Sequence, residues 1–268
     1  MDNARRASGQ LRRDSGRLPV DALASEVLSV VAKKSNLSDA DQRKELVDRL
    51  CDAVRAFDPD VRVRLLAEFR ALGVSDIDIC EVLIPEAARL LGDDWCADRL
   101  GFADVTIGSA RLQSMLRELS SAIDVNCEVA DECPSFLTVV RGNEYHTLGA
   151  LVLARHLRRR GATVKMALGL TDPEIAEMAA RDSYDAVLIS ASGGEALETL
   201  RNLVRGIRKR SGGSTLICVG GTILEARKDV KKLTGADCAT NLPDEVFRLC
   251  DLSVKKNGMV SRRTEFSL

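Results

Sequence analysis

The stretch Arg141-Gly142-Asn143-Glu144-Tyr145-His146-Thr147-Leu148-Gly149 decides how the chain is read. Just before it, Phe136-Leu-Thr-Val-Val140 is rich in β-branched residues and almost unbroken in apolar character, the pattern of a strand buried on both faces of a parallel sheet. Just after it, residues 150–160 are helix formers ending in a basic turn, with Gly161 as the stop. His146 therefore falls at a strand-to-helix turn. Open α/β sheets present their ligands at the carboxyl ends of the strands, so a histidine placed there faces a site rather than a core. Glu144 lies two positions earlier, where a carboxylate can take the proton of one ring nitrogen and make the other a better metal donor. Gly149 shares the helix face of His146 and has no side chain, which lets a flat group lie close to the backbone.

Downstream, strands and helices alternate strictly. Strands are expected at 136–140, 163–168, 186–190, 215–219 and 236–239, each followed by a helix. That alternation argues for a parallel, doubly wound sheet with right-handed crossovers, of flavodoxin type with strand order 2-1-3-4-5. In that order the carboxyl ends of strands one, three and four are neighbours. The loops at His146, at Ser190-Ala191-Ser192-Gly193-Gly194 and at Gly220-Gly221-Thr222 then converge.

Upstream, residues 19–123 show helical periodicity and no strand pattern. Helices are expected at 21–34, 39–57, 59–72 and 75–91, each with a capping-type Asp or Ser near its start. The loops between them are short, so neighbours pack antiparallel. A further cluster runs from Leu91-Gly-Asp-Asp-Trp95 through Phe102 to Val105-Thr-Ile-Gly108 and Arg111-Leu-Gln113, and it holds the sole tryptophan of the chain. The expected organisation is a disordered basic tail at 1–18, a four-helix-type helical domain at 19–124, an acidic linker at 125–134, a Rossmann-like domain at 135–256 and a tail at 257–268.

Composition narrows the function. With 45% apolar and 29% charged residues in 268 positions, the chain has material for two compact units. Aromatics are only 3%, which argues against a base-stacking platform for single-stranded nucleic acid. No apolar run reaches the roughly 18 residues needed to span a bilayer, and the amino terminus has no apolar segment of signal-peptide type, so a cytoplasmic protein is expected. The eight cysteines are scattered without a Cys-x-x-Cys pair and read mostly as small buried hydrophobes; Cys127 and Cys133 flank the linker. A phosphorylation receiver lacks its aspartate at the end of strand three, and a dinucleotide site lacks Gly-x-Gly-x-x-Gly after strand one. His156 lies about 280° around the helix from His146 and reads as a surface residue.

Glu144-x-His146-x-x-Gly149 resembles the Asp-x-His-x-x-Gly fingerprint of cobalamin-binding Rossmann-like domains, with Glu in place of Asp. The variant Glu-x-His-Thr-Leu-Gly is similar to the AerR/PpaA-type antirepressors of purple photosynthetic bacteria. The resemblance implies that His146 is the axial ligand of cobalt and that Glu144 tunes it, with Thr147 and Gly149 beside the ring. It implies that Ser190 and Ser192 bond an extended nucleotide tail, in a channel left by Gly193, Gly194, Gly220 and Gly221. The 91–113 cluster resembles the helical cap of such modules, where Trp95 would help cover the upper corrin face; by position alone a lone tryptophan in a bundle is as readily core. The cofactor implied is hydroxocobalamin or a photolysed alkylcobalamin, and the partner a transcriptional repressor of photosystem genes, with possible DNA contact. On this reading the chain is a light-responsive regulator and not an enzyme. Two alternatives use the same scaffold: a corrinoid methyl carrier for methyltransferases, and a haem-binding sensor with His146 as axial ligand.

Overall fold

The computed structural model describes residues 39–121, 133–142, 147–213 and 215–250. The expected first helix, both tails, most of the linker, Cys127, and the site residues Glu144 and His146 lie outside the described residues.

The upstream domain is helical. Helix α1 (Ala40–Arg55) is capped by Asp39, whose side chain accepts from the backbone N–H groups of Asp41 and Gln42. Helix α2 (Asp60–Ala71) follows. The helix expected at 75–91 is longer and not regular: a first turn, α3 (Asp76–Asp78), leads into a π-helical turn (Ile79–Leu83) and then α4 (Ile84–Cys96). Pro85 gives the reason. It has no N–H to bond the Glu81 carbonyl, and its ring crowds that carbonyl, so the chain inserts a wide turn just ahead of it. The domain closes with α5 (Phe102–Ser121).

The downstream domain is a five-stranded, all-parallel sheet in the expected order β2-β1-β3-β4-β5. Its strands are β1 (Ser135–Arg141), β2 (Thr163–Leu170), β3 (Ala186–Ser190), β4 (Leu216–Gly220) and β5 (Cys238–Ala239). The connecting helices are α6 (Leu148–Arg159), α7 (Asp172–Arg181) and α8 (Leu197–Arg210), then α9 (Ile223–Ala226) and α10 (Val230–Thr234), with α11 at 243–250. The single short helix expected at 223–232 is thus two. Gly161 ends α6 in the left-handed conformation, φ +86°, as its position suggested.

One face of the sheet packs under α7 and α8, with Leu137, Val139, Val187, Ile189 and Ile217 pointing that way. The other packs under α6 and α11, through Phe136, Leu188 and Cys218 against Ala154, Leu157 and Val246. The helical domain has its own core, and that core takes in Leu148, Leu151 and Val152 of α6. Helix α6 is therefore shared between two cores, one on each side, and it begins two positions after His146 in the chain.

That sharing corrects the reading of His156. It is half-buried, not a free surface residue: its Nδ1 lies 2.8 Å from Oε2 of Glu81, the residue inside the π turn. Arg159 donates to both oxygens of the same carboxylate at 2.8 and 2.9 Å. The sequence alone does not say which helix of the helical domain will cover α6. Burial pushes the Glu81 carboxyl up, but the bonds from Arg159 and His156 outweigh it and hold it below the ordinary carboxylate range. A depressed carboxylate contributes stability above the unfolded-state value, near 4.5, and loses it as the pH falls through the folded value. Glu81→Gln is expected to cost about 2 kcal/mol at pH 7 and to flatten the acid limb of a plot of melting temperature against pH. Parallel acid limbs in variant and parent would show that the pairing contributes nothing.

Of the cysteines expected to be buried, Cys51, Cys80, Cys218, Cys238 and Cys250 are; Cys96, in the last turn of α4, is exposed. Burial pushes the Cys51 thiol up to about 12 and Cys80 to about 11, which leaves both as inert hydrophobes. Among the described residues no helix is long and apolar enough to cross a membrane.

Candidate functional site

The sheet register builds the edge on which the site depends. Val140 pairs with Ser190, and Ser190 pairs with Gly220, so the exits of β1, β3 and β4 stand side by side. Thr147 is the N-cap of α6 and makes no side-chain cap bond. Ser190, the last residue of β3, and Ser192 in the following loop are both half-buried, with Gly193 between half-buried and open neighbours. The structure thus brings Thr147, Gly149, Ser190, Ser192, Gly193, Gly220 and Gly221 to the carboxyl edge.

The glycines do not all serve one purpose. A Cβ added to Gly149 or Gly194 would meet no atom within 4 Å, so the space there is open. A Cβ on Gly220 would lie 2.8 Å from the Thr240 carbonyl oxygen, and one on Gly221 only 2.3 Å from that of Ala191. Gly193 faces the Ala226 methyl at 3.4 Å. Of the four glycines of the expected channel, Gly194 alone has no atom within 4 Å of an added Cβ, so the absence of a side chain has another local reason at Gly220 and Gly221. Gly220 and Gly221 lack side chains because backbone of neighbouring loops occupies that space, and Gly221 also sits at φ +99°. The open positions are Gly149 and Gly194, one after β1 and one after β3.

Side chains that the sequence reading had given no role tie the edge together. Arg141, at the end of β1, donates from Nε and Nη2 to the two carboxylate oxygens of Asp172 at 2.8 and 3.1 Å, and from Nη1 to Glu195. Its side chain is 8% exposed and that of Glu195 6%. Asp172 opens α7 and Glu195 lies between β3 and α8, so a single guanidinium links the exits of β1, β2 and β3. Beyond it, the Gly193 N–H donates to Thr222 Oγ1 at 3.0 Å. The Asn241 amide accepts from the Gly221 N–H at 2.7 Å and donates back to the Gly221 carbonyl at 3.4 Å. The exits of β3, β4 and β5 are linked in turn. One signal was available: an arginine ending an apolar strand must find counter-charges at the sheet edge.

The helical domain supplies apolar surface. Trp95 is 47% exposed and Phe102 72%, so the tryptophan is not core. The two aromatics flank the turn at 97–101, which Asp94 organises by accepting from the N–H groups of Arg99 and Leu100 at its carbonyl and from the Arg99 guanidinium at its carboxylate. Gly108 has a structural role, since a Cβ there would lie 2.9 Å from Leu91. Arg111 donates to the Val54 and Ala56 carbonyls, both at 2.7 Å, and so caps the end of α1. A separate opening of about 470 Å3 lies between α6 and α11, lined by His156, Leu242, Pro243, Asp244, Glu245 and Arg248; none of the residues assigned to the corrinoid site lines it.

A parallel sheet with three loops at one edge, open glycines beside half-buried hydroxyls, and exposed aromatics on an adjoining helical domain defines a class, the B12-binding domain proteins. Residues 134–246 match the B12 binding domain family. The chain is 37% identical over 179 residues to an uncharacterized 20.5 kDa protein of the bchF-crtJ intergenic region of Rhodobacter capsulatus, an alignment covering 66% of this chain and 92% of that one. It belongs to that protein's family, in agreement with the AerR/PpaA-type resemblance. In fold it is similar to the monomethylamine corrinoid protein of Methanosarcina barkeri, with a TM-score of 0.62 at 19% identity over 77% of this chain and 97% of that one.

The residues present fit a corrinoid. Gly149 and Gly194 stand in open space at the sheet edge, Ser190 and Ser192 place hydroxyls beside it, and Trp95 and Phe102 offer uncovered apolar area.

Proposed function

We propose that the chain is a cobalamin-dependent, light-responsive transcriptional regulator, acting as an antirepressor toward a repressor of photosystem genes. The observation that carries this reading is the family relationship to a protein encoded between bchF and crtJ, in a photosynthesis gene cluster; the open glycines and hydroxyls gathered at one sheet edge support it. His146 would hold cobalt, with Glu144 on its other nitrogen, while Ser190 and Ser192 bond the nucleotide tail. Visible light breaks the cobalt–carbon bond of an alkylcobalamin, and this is the chemistry the bound cofactor would supply.

The protein's own part is positional. Helix α6 starts at the ligand loop and belongs to the cores of both domains, so a change at its first turn reaches the helical domain directly. The repacked surface would engage the repressor in the cytoplasm, with the basic amino-terminal segment available for DNA contact and no catalytic step on the protein.

The methyl-carrier reading draws on the likeness in fold to the Methanosarcina corrinoid protein. A carrier would pass the methyl group of methylcobalamin to a thiol when given a methyltransferase; a regulator would not.

The direct test is hydroxocobalamin binding by absorption spectroscopy, together with adenosylcobalamin in the dark and after illumination. Hydroxocobalamin and illuminated adenosylcobalamin are expected to give a bound spectrum with an imidazole ligand. His146→Ala is expected to lose that spectrum and to weaken binding by about 100-fold. A haem Soret band without corrin absorption, or unaltered binding by the alanine variant, would overturn the assignment.

A further inference from the structure

We infer that Arg141 is a positioning residue for the corrinoid site, the clamp that sets the spacing between the end of β1 and the loop after β3. The inference rests on the cobalamin reading above and adds to it a residue that never touches the cofactor.

Arg141 is the last residue of β1, and its guanidinium is buried between two carboxylates, one from the start of α7 and one from the loop after β3. Such burial costs several kcal/mol unless the charge is fully bonded. Here each of the three guanidinium nitrogens donates to a carboxylate. The Asp172 carboxylate takes two parallel N–H groups, and Glu195 takes a third from the other side of the fork. A planar guanidinium can hold two carboxylates at once in fixed relative orientation, which an ammonium cannot.

The backbone beside it is built to the same end. The β1–β2 register shifts between Val140 and Arg141, so that Val140 faces Leu168 and Arg141 faces Leu170. The residue passed over, Gly169, is left-handed at φ +70°. The next amide, Gly142, donates to the Leu170 carbonyl at 3.1 Å, and a Cβ on Gly142 would press on the Gly169 oxygen at 3.2 Å. The departure of the chain from β1 is thus fixed by the clamp and by β2. On the far side, Glu195 adjoins Gly194, one of the two open glycines, and Ser192. A corrinoid whose ring lies by Gly149 and whose tail passes Ser190 and Ser192 needs the exits of β1 and β3 at a set separation. Asp172, in the first turn of α7, gains further from the helix dipole, which strengthens the anchor on which the clamp pulls.

Arg141→Lys tests this, because it keeps the charge and loses the fork. The full-length chain is measured with hydroxocobalamin as probe, for affinity and absorption spectrum, and without it, for amide hydrogen exchange at Gly142 and Gly193. Circular dichroism checks the fold. The variant is expected to stay folded, to bind about 10- to 100-fold more weakly, and to exchange at least about tenfold faster at the two glycines while Val139 and Ile189 stay protected. Arg141→Lys/Glu195→Gln serves as the second variant should the first unfold, since it removes the surplus carboxylate charge; it is expected to show the same two effects. If the parent binds and a folded variant binds equally tightly, Arg141 is not a positioning residue, and the cobalamin reading survives. If the parent itself takes up no cobalamin, that reading falls, and unchanged exchange at Gly142 and Gly193 then overturns the clamp separately.

Discussion

Gly221→Ala is expected to lower the stability of the chain by about 4 kcal/mol, seen as a melting temperature reduced by roughly 10 °C or more. Two costs add. The residue holds φ +99°, a region that an alanine enters only with strain of order 1–3 kcal/mol. The added methyl would also lie 2.3 Å from the Ala191 carbonyl oxygen and 3.0 Å from its nitrogen, both rigid backbone at the end of β3. Those atoms cannot step aside, because the Ala191 N–H is bonded to the Gly220 carbonyl and its carbonyl accepts from Ile223. Gly149→Ala is the matched control, with open space around the new methyl, and helix propensity there favours alanine. A Gly221→Ala variant that melts with the parent would mean that the β3 and β4 exits are not packed as described.

Arg155→Met is expected to act in the opposite sense, raising the melting temperature by about 5 °C, or stability by about 2 kcal/mol. Arg155 is 3% exposed, yet Nε, Nη1 and Nη2 all lack a hydrogen-bond partner among the described residues. It sits one turn past Leu151 and Val152, on the side of α6 that packs against the helical domain, where the buried Cys80 thiol feels its charge. A buried cation without a partner forfeits its hydration and gains little in return. Methionine has nearly the same reach, no charge, and enough freedom to fill the space. Thermal or urea unfolding gives the answer, and a variant less stable than the parent would show that the guanidinium is held by something that methionine cannot replace.

What could be read from the chain itself was whatever local pattern dictates. Alternation of apolar runs with helix-forming segments gave a five-stranded parallel sheet and its order, since a right-handed crossover leaves few arrangements. Asp39 as a cap and Gly161 as a stop were equally local. The Ser190 and Gly220 loops were placed at one edge by strand order alone. Tertiary structure decided everything that depends on which elements meet. The π turn at 79–83 joins Pro85 to a glutamate that faces α6, and no periodicity announces it. His156 passed for a surface residue until the helical domain covered its face. Gly220 and Gly221 read as room for a ligand, and the fold adds a second demand for glycine there, the close backbone of neighbouring loops, because a missing side chain looks the same in sequence whatever requires it. Arg141, Asp172 and Glu195 are far apart in the chain and became a clamp only when three strand exits were brought together. Periodicity and capping act over a few residues and are written in the order of the amino acids; contacts between loops are set by how the sheet stacks, and only the folded chain holds them.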